Sequence, residues 1–110
     1  MIKLQNEDAR TVAADLGGPD SEGLDWVALT DAKMEIVLRY LSPDKYEAWE
    51  TMRKEEVTKN AWVLDHVAFP SPDKVRERMT KRPVLASRMA LVCLELYGNT
   101  SELELGKAEL

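Results

Sequence analysis

With 110 residues, 45% of them hydrophobic, the chain is long enough to bury one core unaided and too short for two domains of ordinary size. A single cysteine, Cys93, excludes a disulfide framework or a cysteine-based zinc site within one copy, and a net charge of −5 argues against a general nucleic-acid binder. The first residues turn acidic before any hydrophobic stretch develops, and no window approaches the ~18 apolar residues of a membrane span, so the expectation is a soluble, cytoplasmic protein.

Composition divides the chain into an N-terminal helical arm with its connection (1–25), a body (26–98) and an acidic tail (99–110). Asn6 is placed to cap a first helix running to Leu16, with Glu7 and Asp8 complementing the positive end of its dipole and Gly17, Gly18 and Pro19 stopping it. Residues 17–25 mix Gly, Pro, Ser and acidic groups, the composition of a mobile connection, which makes the arm separable from the body.

Two readings fit Trp26 to Tyr40. As a hairpin, Met34, Ile36, Leu38 and Tyr40 alternate onto one face and Trp26 to Leu29 supplies the partner strand. As a helix, Thr30 caps and Met34, Val37, Leu38 and Leu41 form an apolar stripe. The hairpin is preferred by a narrow margin. The fold class read from the whole chain is mainly α: a small domain of four to five helices, with room for one short β-hairpin near residues 26–40.

The tetrapeptide Ser-Pro-Asp-Lys occurs at Ser42 to Lys45 and again at Ser71 to Lys74. Each copy predicts a sharp helix start, Ser capping the first turn and Pro occupying a position whose N–H has no partner anyway. Beyond the first copy, Tyr46, Trp49 and Met52 share a face, and Ala61, Leu64, Val67 and Ala68 resume the stripe until Phe69-Pro70. This stretch fits one long helix or two joined near Thr58 to Asn60. Pro70, Pro72 and Pro83 fence a short helix containing Val75 and Met79. A last helix from about Val84 to Tyr97 places Leu85, Met89, Val92 and Leu96 at helical spacing, with Gly98-Asn99 as its stop. Leu91, Cys93, Leu94 and Tyr97 widen its apolar surface so far that it must be central to the core or covered by another subunit. That requirement predicts a homo-oligomer through Leu91, Leu94 and Tyr97.

No constellation for catalysis, metal or cofactor binding emerges. His66 is the only histidine and is expected beside Trp62, half-buried, with a ring nitrogen bonded to backbone or water. Carboxylate pairs such as Glu55 and Glu56 sit in charged surroundings without an apolar pocket. The protein is therefore read as non-enzymatic. Of the three tryptophans, Trp62 is the candidate for a protein contact, because it adjoins the charged run Lys54 to Lys59 and lies off the stripe of Leu64 and Ala68. From Pro70 to Ala90 six basic residues outnumber two acidic ones. Arg76 and Arg78 in that stretch are candidate contacts for an acidic partner or, as an alternative, for nucleic acid, although the stretch carries no aromatic residue.

The order Trp26-Val-Ala-Leu-Thr-Asp-Ala-Lys-Met-Glu-Ile-Val-Leu-Arg-Tyr-Leu-Ser-Pro-Asp-Lys-Tyr46, then Asp65-His-Val-Ala-Phe-Pro-Ser-Pro-Asp-Lys74, then Arg82-Pro-Val-Leu-Ala to Leu96-Tyr-Gly98, resembles the small tail assembly chaperones of long-tailed bacteriophages and prophages. The junction Arg39-Tyr40-Leu41-Ser42 is its most distinctive part, and the arm and tail have no counterpart. The resemblance implies a non-enzymatic protein, in the host cytoplasm, that binds the helical tape-measure protein and keeps it soluble until tail-tube subunits polymerise around it. A small inhibitor that turns acidic surfaces toward a basic cleft of a host enzyme is a further alternative.

Overall fold

The computed structural model describes residues 4–98; the predicted acidic tail lies outside them. Within those residues the order is α1 (Glu7–Asp15), β1 (Trp26–Asp31), β2 (Met34–Arg39), α2 (Asp44–Met52), α3 (Glu56–Asp65), β3 (Val67–Phe69), α4 (Pro72–Lys81) and α5 (Val84–Leu94), with single 3₁₀ turns at Pro19–Ser21 and Glu95–Tyr97.

The hairpin reading of residues 26–40 holds, and the mainly α class does not. The strands form one antiparallel sheet in the order β1-β2-β3, which makes the fold mixed α/β. β1 pairs with β2 from Trp26↔Arg39 to Asp31↔Met34, through a two-residue turn in which Ala32 and Lys33 take φ of 46° and 73°. β3 pairs with the far side of β2 through Val37↔Phe69 and Leu38↔Val67. Three residues are too few to display a strand period, and Val67 and Ala68 happen to continue the stripe of Ala61 and Leu64, which hid this strand in the sequence.

The sheet is covered on both faces. Val27, Leu29, Ile36, Leu38 and Val67 join α2 to α5 in the larger core, while Trp26 and Val37 join Leu4, Ala9 and Ala13 beneath α1. Glu35 to Leu38 are consequently all buried, and a central strand covered on both sides reads as a near-continuous apolar run instead of a clean alternation. The N-terminal segment expected as a separable arm lies against the sheet. Ala9 and Ala13 are small enough to let the helix backbone approach, and the Glu35 carboxylate accepts the Gln5 and Asn6 N–H groups at 2.7 and 2.6 Å. Asn6 caps α1 as expected, its Oδ1 accepting from the Ala9 N–H at 3.0 Å.

The two Ser-Pro-Asp-Lys copies differ. Ser71 Oγ accepts the Lys74 N–H at 3.3 Å and caps α4. Ser42 makes no side-chain cap; its carbonyl accepts the Lys45 N–H instead, and α2 begins at Asp44. α2 and α3 are separate helices broken at residues 53–55, earlier than the expected Thr58 to Asn60. Thr58 Oγ1 lies within hydrogen-bond reach of the Met52 and Glu55 carbonyls, and so closes the break with a side chain. Nothing in Arg53-Lys54-Glu55 is a strong helix breaker, so the break belongs to the packing.

α5 is apolar on most sides because it is central. Leu85, Ala86, Met89, Ala90, Cys93 and Leu94 are all buried within the single chain. The cover that the sequence reading sought from a second copy is, for Leu94, supplied by the monomer itself. Among the described residues, no helix is long and apolar enough to cross a membrane.

Candidate functional site

Alongside α5, an open groove of about 430 Å³ runs between that helix, the C-terminal end of α2 and the start of α3. Trp49, Ala90 and Leu91 make its apolar floor, and Arg53, Lys54 and Lys59 its rim. Among the described residues, three cations and no carboxylate line it. Leu91 is 53% exposed, whereas Trp49 beside it is buried. The groove falls at the helix break at residues 53–55, where Arg53, Lys54 and Lys59 surround a hydrophobic strip. An apolar floor under a positive rim matches a helix with one apolar face and acidic flanks.

The six residues singled out from sequence are dispersed. Leu91 lines this groove. Trp62, the expected contact residue, is 2% exposed and stacks against Trp49 with ring centroids 4.8 Å apart, its Nε1–H donating to the Lys45 carbonyl at 2.7 Å. The adjoining charged run had suggested a surface position, but the α2–α3 break folds that run away and leaves Trp62 inside. Leu94 is likewise buried. Arg76 is exposed and paired with Asp73 at 2.8 Å. Arg78 instead turns toward Asp31 at the end of β1.

Tyr97 belongs to a partly buried polar chain. His66 Nδ1–H donates to the Trp62 carbonyl at 2.8 Å, the Tyr97 hydroxyl donates to His66 Nε2 at 2.7 Å, and the Leu41 N–H approaches the Tyr97 oxygen at 3.4 Å. This assignment follows from the carbonyl, which only accepts, and it requires a neutral ring. Burial lowers the His66 pKa, against the raising effect of the Trp62 carbonyl, and burial pushes the Tyr97 phenol up to about 12. His66 is fully buried instead of half-buried, and both ring nitrogens are engaged. Cys93 is buried, and burial pushes its thiol well above the ordinary range, opposite to what a nucleophile needs. Among the described residues no group of three His, Cys, Asp or Glu side chains is arranged to hold a metal ion.

Sequence reasoning missed Trp49 as a groove residue and Asp31 as a buried charge. The signal for Asp31 was present once the strand was adopted: Val27 and Leu29 face the larger core, and the same period carries Asp31 to that face. No family model matches the chain, and no curated protein or solved structure matches it either.

Proposed function

We propose that this chain is a non-enzymatic protein-binding protein of the tail-assembly-chaperone kind, which holds a helical segment of a tape-measure-like partner in the groove beside α5. The observation that carries the reading is the exposed Leu91 on an apolar floor ringed by Arg53, Lys54 and Lys59. An amphipathic helix with acidic flanks buries its apolar face there, and its charges meet the rim. The sequence resemblance over residues 26–98 supports the same reading. Nucleic acid is less well served. In the basic stretch Arg76 is paired with Asp73 and Lys81 with Glu77, and Arg78, Arg82 and Arg88 converge on the single Asp31, which gathers the charge at one point instead of spreading it along a face that a backbone could follow.

The test is co-expression with the tape-measure-like protein of the same genome. The expected result is a soluble complex that survives gel filtration and is lost when Leu91→Glu and Lys59→Glu are introduced together into a protein that still melts cooperatively. An insoluble partner, or a complex indifferent to both substitutions, overturns the reading.

A further inference from the structure

Asp31 has the lowest exposure, 1%, of the carboxylates among the described residues. Its side chain is wholly buried at the end of β1, and three arginines from the α4–α5 hairpin converge on it. Arg82 Nε lies 3.1 Å from Oδ1 and 3.0 Å from Oδ2, and Arg88 Nη1 lies 3.1 Å from Oδ1. Arg78 Nη1 stands back at 3.9 Å. One carboxylate would suffice to anchor one guanidinium, so two positive charges remain in excess. The acids nearby in sequence do not offset them, because Asp73 is paired with Arg76 and Glu77 with Lys81.

The three arginines are not equivalent. Arg88 is used up, since its second terminal nitrogen donates to the Thr30 carbonyl at 3.1 Å. Arg82 meets Asp31 side-on through Nε alone, and its two terminal nitrogens reach no acceptor among the described residues. Its side chain is 48% exposed. A guanidinium pinned at Nε by a buried anion, with its outer edge turned to solvent, has lost much of its rotamer freedom in advance and presents donors in fixed positions. Exposed Lys33 follows Asp31 by two residues, in the strained turn.

We infer that the Asp31–Arg78–Arg82–Arg88 cluster is a carboxylate-binding site, which takes an acidic side chain of a protein partner on the outer edge of Arg82. The assignment of the carboxylate to a protein rests on the protein-binding reading; the anion site itself does not. A carboxylate fits better than a nucleic-acid backbone. The site offers a point of excess charge and not a stripe, and the chain as a whole is acidic.

The experiment is a titration of the ¹⁵N-labelled chain at 150 mM salt with a capped pentaglutamate peptide, its pentaglutamine counterpart and a ten-base-pair DNA duplex. It is read at the Arg82 and Arg88 Nε–H resonances and the Thr30 and Asp31 amides. Pentaglutamate is expected to give saturable shifts there and pentaglutamine none. Affinity should fall at least tenfold in Arg82→Gln and partly recover in Arg82→Lys, both of which keep Arg88 on Asp31. The same shifts should persist in Leu91→Glu, so loss of the groove and loss of this site are separable. Absence of saturable shifts, an Arg82→Gln protein that binds as wild type does, or a duplex that binds more tightly than the peptide overturns the assignment.

Discussion

Lys33 and Ala32 hold left-handed backbone without being glycine, with φ of 73° and 46°. Such a conformation costs an ordinary residue ~1–2 kcal/mol, and two-residue hairpin turns prefer Asn-Gly or Asp-Gly for that reason. Lys33→Gly is therefore expected to raise stability by about 0.5–1 kcal/mol, the gain being reduced by the greater freedom of glycine in the unfolded chain. Chemical denaturation that showed a loss would mean that the lysine side chain holds the turn. The two capping serines give a paired test. Ser71→Ala should cost ~1 kcal/mol, because it leaves an amide of the first turn of α4 without its acceptor. Ser42→Ala should cost almost nothing, since only the backbone of Ser42 takes part. Equal melting temperatures for the two variants would refute the distinction.

At the scale of the element, α5 decides where the surface begins. Leu91 and Leu94 are three residues apart, and they differ in fate because, among the described residues, α5 is covered by β1, α3 and α4 but by nothing along the groove. Leu94→Glu is expected to abolish folding, as an unpaired buried charge costs several kcal/mol. Leu91→Glu should fold with stability within about 0.5–1 kcal/mol of wild type. Circular dichroism melts separate these outcomes, and a folded Leu94→Glu protein would restore the contact with a second copy that the sequence reading expected. The last helix was readable because Leu85, Met89, Val92 and Leu96 keep helical spacing, Val92 partly buried and the other three buried. β3 was not, since the same kind of side chains, three in a row, carry no period of their own and become a strand only because the far edge of β2 needs backbone partners.

Across the whole molecule, the chain from Leu41 through Tyr97 and His66 to Trp62 ties the β2–α2 junction, the end of α3 and the turn after α5 together, with His66 fully buried at its centre. Tyr97→Phe leaves His66 Nε2 without a donor and should cost ~1–3 kcal/mol. The same network makes stability depend on pH. The folded-state pKa of His66 is lowered, so below about 6.5 the unfolded chain takes up the proton first, and this contribution to stability is lost as pH falls from there through the folded value. Denaturant midpoints at pH 7.5 and 5.5 should fall further apart in wild type than in a folded His66→Gln variant; an equal decline in both would assign the pH dependence to other groups. What the amino-acid order determined alone was local: the cap at Asn6, the cap at Ser71, the proline fences around α4, the apolar face of α5 and the placing of Met34, Ile36 and Leu38 on one face of β2 each depend on neighbours within one or two turns of chain. The tertiary structure decided everything that depends on which surfaces meet. It drew Trp62 inward and left Leu91 out, buried Asp31 against arginines more than forty residues away, broke α2 from α3 without a breaker, and turned three residues after His66 into a strand. In each case the deciding energy comes from burial and from backbone or charge partners distant in sequence, and no window of local sequence contains them.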